Sequence, residues 1–227
     1  NILLAAAGKV LEAGGKVFFL DPEDSPARMV PRALSLGIDA ATLRKRFHYL
    51  HDPAPDDYAL AHEWAKQLKP ELVILDGLAE ALAREGFDEN NHADILTFFR
   101  NRIRPFADNG SAVVIADHVT KSAETRGSWP RGSGAKMGHY HGVSYEIILG
   151  ETYTPAKAGH VRMKVSKDRN GGVGPKGETV AQLHFVPGED GMTTTEWKEP
   201  TPAEAFRPTE LMAKIESHLR LNREANK

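Results

Sequence analysis

Short apolar runs alternate with amphipathic segments along the first half of the chain. The runs are rich in branched and aromatic residues, which is typical of buried parallel strands, and they span 16–20, 47–50, 72–76 and 112–117. The segments around them have the apolar spacing of helices, at 2–12, 26–36, 56–68 and 92–106. This alternation predicts an α/β fold in which helices flank both faces of a mostly parallel sheet.

The pattern changes after Asp117. Residues 118–142 keep no helical period and are rich in glycine and basic residues, which predicts a long functional loop. Three strand-like runs joined by glycine-rich turns follow, at 144–149, 161–167 and 180–185, and they predict hairpins that finish the sheet with antiparallel strands. We therefore expect a core over 1–186, a linker over 187–208, and a helix within 209–227.

Composition narrows the choice of function classes. The chain has 227 residues, a formal net charge of −2 and no cysteine. The missing cysteines exclude disulfides, thiol catalysis and cysteine zinc sites, and they fit a reducing compartment. No apolar run approaches the roughly 18 residues of a membrane span, so we expect a cytoplasmic protein without a membrane partner. The net charge itself does not require a polyanionic partner.

The most informative single residue is Asp76, which ends the run Leu72–Asp76. In open α/β sheets, ligands bind at the carboxyl ends of the strands. A carboxylate there can hold a water molecule of hydrated Mg²⁺, as phosphate-binding ATPases require. The alternative is that Asp76 only caps the turn that follows.

A second acidic cluster, Asp21-Pro22-Glu23-Asp24-Ser25, ends the preceding apolar run in the same way. If the two strands are neighbours, Glu23 and Asp76 face one cleft, where one acid orients an attacking water and the other serves the metal. Alternatively, Asp24 or Ser25 caps the helix that begins at Pro26. Both interpretations are compatible, because capping leaves Glu23 free.

Two further groups of polar residues follow predicted strands. His118 comes directly after the run 112–117 and is positioned to sense a terminal phosphate, although a histidine in such a place is often only solvated. Lys167 and Arg169 alternate at the end of another strand and therefore share a face. Two cations there suit the triphosphate held by a neighbouring subunit, and the alternative is an exposed hairpin with basic flanks.

A phosphate-binding loop of the form G-x-x-x-x-G-K-[ST] does not occur within the 227 residues. The helical pattern at 2–12 has no capping residue or loop ahead of it. It stands where the helix after such a loop is expected, so we expect the loop to precede Asn1.

Five motifs occur in an order that resembles a known family: DPEDSP at 21–26, ELVILDGL at 71–78, VVIADHVTKS at 113–122, RGSGAK at 131–136 and SKDRNGGVG at 166–174. This order resembles the RecA-like P-loop ATPases, and most closely the hexameric helicases of the RepA-like and DnaB type found in plasmids and phages. The last motif is similar to the K-x-R-N-G-x-x-G turn of DnaB-type helicases. The segment RPTELMAKIESHL at 207–219 resembles the entry helix of a winged-helix domain.

The resemblance implies a role for each candidate residue. It implies that Glu23 is the catalytic glutamate, Asp76 the Mg²⁺-linked aspartate and His118 the phosphate sensor. Lys167 and Arg169 would then be the fingers offered to the next subunit of a homo-oligomeric ring, a hexamer in this family.

The resemblance also implies ligands and partners. ATP and Mg²⁺ are the expected cofactors, with Asp24 and Lys121 as further nucleotide contacts. Single-stranded DNA is the expected partner, because ring helicases place DNA-contacting loops where this chain has its basic loop; the candidate phosphate contacts are Lys121, Arg126, Arg131 and Lys136. Two alternatives stay open: a RecA-like DNA-binding or loading module without hydrolysis, and a regulatory or recombination ATPase of RecA type.

Overall fold

The computed structural model describes residues 1–118, 135–154 and 156–200, and these residues form two four-stranded sheets and the helices around them. The strands are β1 (Val17–Asp21), β2 (Phe47–His51), β3 (Leu72–Leu75), β4 (Ala112–Ile115), β5 (Val143–Glu151), β6 (Gly159–Asp168), β7 (Thr179–Pro187) and β8 (Thr193–Lys198). The helices are α1 (Ile2–Glu12), α2 (Pro26–Ser35), α3 (Ala40–Arg46), α4 (Asp57–Leu68), α5 (Leu78–Arg84), α6 (His92–Phe98), α7 (Arg104–Asp108) and α8 (Ala135–His139).

The first sheet is parallel, with the strand order β2-β1-β3-β4. Helices cover both of its faces. Successive side chains of β1 and β3 point to opposite sides of the sheet, so each strand contributes to two separate apolar clusters. Phe18, Leu20 and Val73 pack against α4, α5, α6 and α7, whereas Phe19 and Ile74 pack against α1, α2 and α3. The α/β class and the parallel sheet predicted from the sequence are therefore confirmed.

Helix α1 lies between the two sheets. Leu4 and Leu11 join the core on one face of the parallel sheet, whereas Ala5 packs with Leu183 and Phe185 of β7. The antiparallel sheet thus has its own apolar contact with the α/β core through α1.

The antiparallel strands differ in one respect from the prediction. They form a separate sheet in the order β5-β6-β7-β8 rather than completing the parallel sheet. Its fourth strand, β8, occupies part of the predicted linker 187–208, so that interpretation was wrong for 193–198. The glycines before β8 indicated a linker, but they form a tight hairpin in which Gly188 N–H donates to the Met192 carbonyl at 2.7 Å. The predicted helix within 209–227 lies outside the described residues.

Three short helices, α3, α5 and α8, were not predicted, and α8 lies within the segment 118–142 that was predicted to be a loop. The helix predicted over 92–106 is divided. A π-helical segment, Phe99–Ile103, separates α6 from α7. Pro105 follows two residues after this segment, and a proline cannot donate the backbone hydrogen bond that a regular helix needs at that position. None of the helices in the described ranges has both the length and the apolar character needed to cross a membrane.

Candidate active site

The carboxyl ends of three neighbouring strands meet at one edge of the parallel sheet. Leu20 of β1 pairs with Leu75 of β3, which in turn pairs with Ile115 of β4. Because the strands run in the same direction and in register, the residues that follow them emerge side by side. The structure therefore brings together Glu23, Asp76 and His118, as expected.

Glu23 is the centre of this group. The imidazole Nε2 of His118 lies 3.6 Å from Oε1 of Glu23. A third side chain, Glu80 from the first turn of α5, completes a cluster whose ligand atoms all lie within 4.8 Å of one another. Gly77 makes this approach possible, because a Cβ there would collide with the Glu23 carboxylate and lie 3.2 Å from Oε2 of Glu80.

The electrostatic environment favours a proton-accepting role for Glu23. Desolvation, followed by the hydrogen bond and charge of Glu80 and the charge of Asp76, raises the pKa of Glu23 to about 7, against the opposing effect of His118. A group that titrates near neutral pH is well matched to general-base catalysis. The pKa of Asp76 is also raised, first by desolvation and then by the charge of Asp21.

Asp21 supports the turn that carries Glu23. It is buried, and its Oδ1 accepts hydrogen bonds from the backbone N–H of Glu23 at 3.1 Å and of Asp24 at 2.8 Å. Its Oδ2 accepts a hydrogen bond from the hydroxyl of Tyr49 at 2.9 Å. Asp21 thus holds the backbone of the turn that follows β1 and carries Glu23. An aspartate at the start of a turn is the sequence signal that indicates this role.

The side chain of Asp24 contacts helix α2. Its carboxylate forms ion pairs with Arg28 and Arg32 of α2, and it accepts a hydrogen bond from Ser25 N–H at 2.8 Å. In this structure the carboxylate is therefore engaged with α2, and a contact of Asp24 with a nucleotide stays a prediction. The expected side-chain cap is also absent at Ser25, the residue that precedes α2 in the described structure.

Lys136 is placed differently from the prediction. Its side chain is fully buried, and Nζ lies 3.0 Å from Oδ2 of Asp117 and 3.4 Å from Oε2 of Glu89. A buried ammonium paired with carboxylates cannot serve as an exposed contact for a DNA phosphate, so that prediction was wrong in this structure. The other predicted DNA contacts, Lys121, Arg126 and Arg131, lie outside the described residues, and so does the nucleotide contact proposed for Lys121.

The two candidate finger residues lie at the end of β6 in the antiparallel sheet. Arg169 is exposed, and its guanidinium donates to the Gly138 carbonyl at 2.8 Å. Desolvation and the charge of Arg169 lower the pKa of Lys167, so the two cations are close. Asp168 shapes the turn after them by accepting hydrogen bonds from four backbone N–H groups, those of Asn170, Gly171, Val173 and Gly174. A contact with a second subunit stays a prediction.

The acidic edge has a donor set that fits Mg²⁺. Magnesium takes oxygen ligands, commonly one or two carboxylates together with water and phosphate oxygens. Asp76, Glu23 and Glu80 supply such oxygens, and Oε2 of Glu80 is buried without a hydrogen-bond partner among the described residues. Asp76, directly after strand β3, is the residue that would hold the ion. When bound, the ion supplies positive charge that neutralises phosphate oxygens.

Comparison with known proteins agrees with this geometry. Residues 3–124, which include β1, β3, β4 and the acidic edge, match the model of the AAA domain family. The chain belongs to the AAA domain family. This is a family of RecA-like ATPases, so the coarse prediction from the sequence is confirmed.

A solved structure shows the same fold. The KaiC-like protein PH0186 from the hyperthermophilic archaeon Pyrococcus horikoshii OT3 superposes with a TM-score of 0.56 at 11% identity. The superposition covers 84% of this chain and 79% of the archaeal chain. No curated protein sequence matches the chain.

Proposed function

We propose that the chain is the ATPase core of a ring-forming nucleic-acid motor, a DNA replication helicase of the RepA and DnaB type. The observation that carries the proposal is the contact between Glu23 and His118 beside Asp76, at the carboxyl edge of the parallel sheet. Membership of the AAA domain family supports ATP as the substrate.

The three residues divide the chemistry of hydrolysis among them. Glu23, in its carboxylate form, accepts a proton from the water whose oxygen attacks the terminal phosphorus, and the bond to the bridging oxygen of ADP breaks. His118 is exposed on the same side, where its imidazole would donate a hydrogen bond to the terminal phosphate. Asp76 would hold the Mg²⁺ that accompanies the nucleotide.

Basic residues outside this edge of the sheet support the proposal of a ring-forming motor. Arg169 is exposed at a strand end, where it is accessible to the triphosphate of a neighbouring subunit, and Lys167 lies beside it. An arginine supplied across an interface stabilises transition-state charge and makes hydrolysis depend on assembly. The basic residues of the segment 119–134 are proposed to contact the phosphates of single-stranded DNA, which binds in a channel.

The proposal is tested with the full-length protein by ATP hydrolysis with and without single-stranded DNA, together with strand separation on a forked duplex. We expect DNA to stimulate hydrolysis and ATP to drive separation. Hydrolysis without strand separation would favour a regulatory ATPase, and DNA binding without hydrolysis would favour a loading module.

The proposed role of Arg169 across a subunit interface is tested by mixing two variants that are each expected to be inactive. Arg169→Ala subunits retain Glu23, and Glu23→Gln subunits retain Arg169, so mixed rings contain some complete interfaces. We expect the mixture to recover part of the activity that each variant lacks alone. No recovery would show that Arg169 does not act across an interface.

A further inference from the structure

A buried ion pair lies directly behind the phosphate-facing edge. The Lys136 side chain has no exposure to solvent, and the Asp117 side chain is only 8% exposed. Nζ of Lys136 lies 3.2 Å from Oδ1 and 3.0 Å from Oδ2 of Asp117, so it contacts both carboxylate oxygens. A buried charge is tolerated only where it is paired, so the position of each partner is specified by the other.

Asp117 connects this ion pair to His118. Its Oδ1, the oxygen 3.2 Å from Lys136 Nζ, also accepts the backbone N–H of His118 at 2.9 Å. Asp117 follows the last strand pairing of β4, where Ala116 N–H still donates to the Leu75 carbonyl. The backbone at His118 is therefore held on one side by the sheet and on the other by a carboxylate that Lys136 fixes.

Lys136 is itself held by a packed helix. It belongs to α8, where the ring of His139 stacks on Phe99 with centroids 5.6 Å apart. Tyr140 packs edge-on against the ring of Phe99, with centroids 5.7 Å apart. Nζ of Lys136 also lies 3.4 Å from Oε2 of Glu89, which precedes α6. The support for His118 thus extends from the α6 region through α8 to the end of β4.

We propose that Lys136 and Asp117 are positioning residues that hold the imidazole of His118 beside Glu23 for ATP hydrolysis. This inference rests on the proposed function, because it assigns the pair a role in the same reaction. Neither residue touches the nucleotide; both act through His118. The pair therefore affects the chemical step and leaves nucleotide affinity nearly unchanged.

The experiment is a double-mutant cycle in the full-length protein with Lys136→Met, His118→Asn and the combined variant. We expect Lys136→Met to lower kcat by about 10- to 100-fold, as small displacements of catalytic groups do. KM for ATP should change by less than about threefold. In the His118→Asn background, Lys136→Met should lower kcat no further, because the residue through which it acts is gone.

A second variant distinguishes a loss of positioning from a loss of folding. Lys136→Met alone leaves the Asp117 charge buried and unpaired, whereas Asp117→Asn combined with Lys136→Met removes both charges. We expect the combined variant to fold, by circular dichroism and thermal unfolding, and to keep the low kcat. The matched control is Arg102→Met, which breaks the ion pair with Glu85 away from this edge and should lower Tm without lowering kcat.

The outcomes distinguish failure of the proposed function from failure of the positioning role of Lys136 and Asp117. If the wild type hydrolyses no ATP, or if Glu23→Gln remains active, the proposed function fails and this inference falls with it. If those two tests succeed but Lys136→Met retains wild-type kcat, only the positioning role is overturned. Multiplicative effects of Lys136→Met and His118→Asn would overturn it as well, because they would show that Lys136 acts independently of His118.

Discussion

The imidazole Nε2 of His118 lies 3.6 Å from the carboxylate of Glu23, although the two residues follow strands that do not pair with each other. Strand β3 lies between their strands, and Asp76 follows it directly. The residues proposed as the base, the phosphate sensor and the metal-linked carboxylate therefore share one edge of the sheet. This arrangement links the fold to the proposed chemistry.

Gly77 is expected to be essential for the position of Glu23. In Gly77→Ala, the new Cβ would collide with Oε1 of Glu23 and crowd Oε2 of Glu80, so the carboxylate has to move. A displacement of about 1 Å costs on the order of 100-fold in rate, so we expect a loss of that size in kcat with nucleotide binding retained. Steady-state kinetics and nucleotide titration measure both.

The control for this substitution is Gly8→Ala in α1. Its new Cβ would meet Ile38 at 3.6 Å, an ordinary van der Waals contact, and alanine favours a helix. This variant should keep the wild-type kcat. Equal kcat in Gly77→Ala and wild type would show that the position of Glu23 does not limit hydrolysis.

The rate of hydrolysis should depend on pH through Glu23. Since its pKa is raised to about 7, Glu23 becomes protonated, and unable to accept a proton, as the pH falls through about 7. The plot of kcat/KM against pH reports the free enzyme and should decline on the acid side near this value. An unshifted glutamate would give a decline near 4.5 instead.

Glu80→Gln is the matched variant for the pH profile. It removes the neighbouring carboxylate, whose hydrogen bond and charge raise the pKa of Glu23, while desolvation and Asp76 still act. We expect the acid decline of kcat/KM to move to lower pH. A decline that stays in place would assign the titration to another group.

The same electrostatics predict an effect on stability. The carboxylate form of Glu23 is disfavoured in the folded protein, so its contribution to stability decreases as the pH rises from the ordinary pKa towards about 7. Glu23→Gln removes this unfavourable charge beside Glu80 and Asp76. Thermal unfolding should show a higher Tm than wild type at about pH 8, and a much smaller difference at about pH 5. An equal difference at both pH values would contradict the raised pKa.

Position after an apolar strand made three site residues predictable. Asp76 is the last residue of one such run, His118 directly follows another, and Glu23 lies three residues after a third. Parallel strands bring their carboxyl ends to one edge. Glu80 could not be found in this way, because its side chain reaches the site only if α5 begins immediately after Gly77. Its position was set by tertiary structure rather than by a local pattern.

Two predictions from the sequence, for Lys136 and for residues 193–198, were wrong for related physical reasons. Lys136 lies in a basic, glycine-rich stretch that indicated an exposed loop, yet Asp117 and Glu89 pair with it in the interior. The partners of a buried charge are distant in sequence, so composition cannot reveal them. Similarly, β8 became a strand because its backbone pairs with β7 and Trp197 packs against the apolar cluster of α1 and β7. Its flanking glycines and prolines indicated only a linker.

The measurement that most directly tests the site is ATP turnover by Glu23→Gln compared with its affinity for the nucleotide. Glutamine preserves the size of the side chain but cannot accept the proton of the attacking water. Turnover should therefore fall by about 100-fold or more, whereas the dissociation constant for Mg²⁺-ATP should change little. Turnover equal to that of the wild type would contradict the assignment of Glu23 as the base.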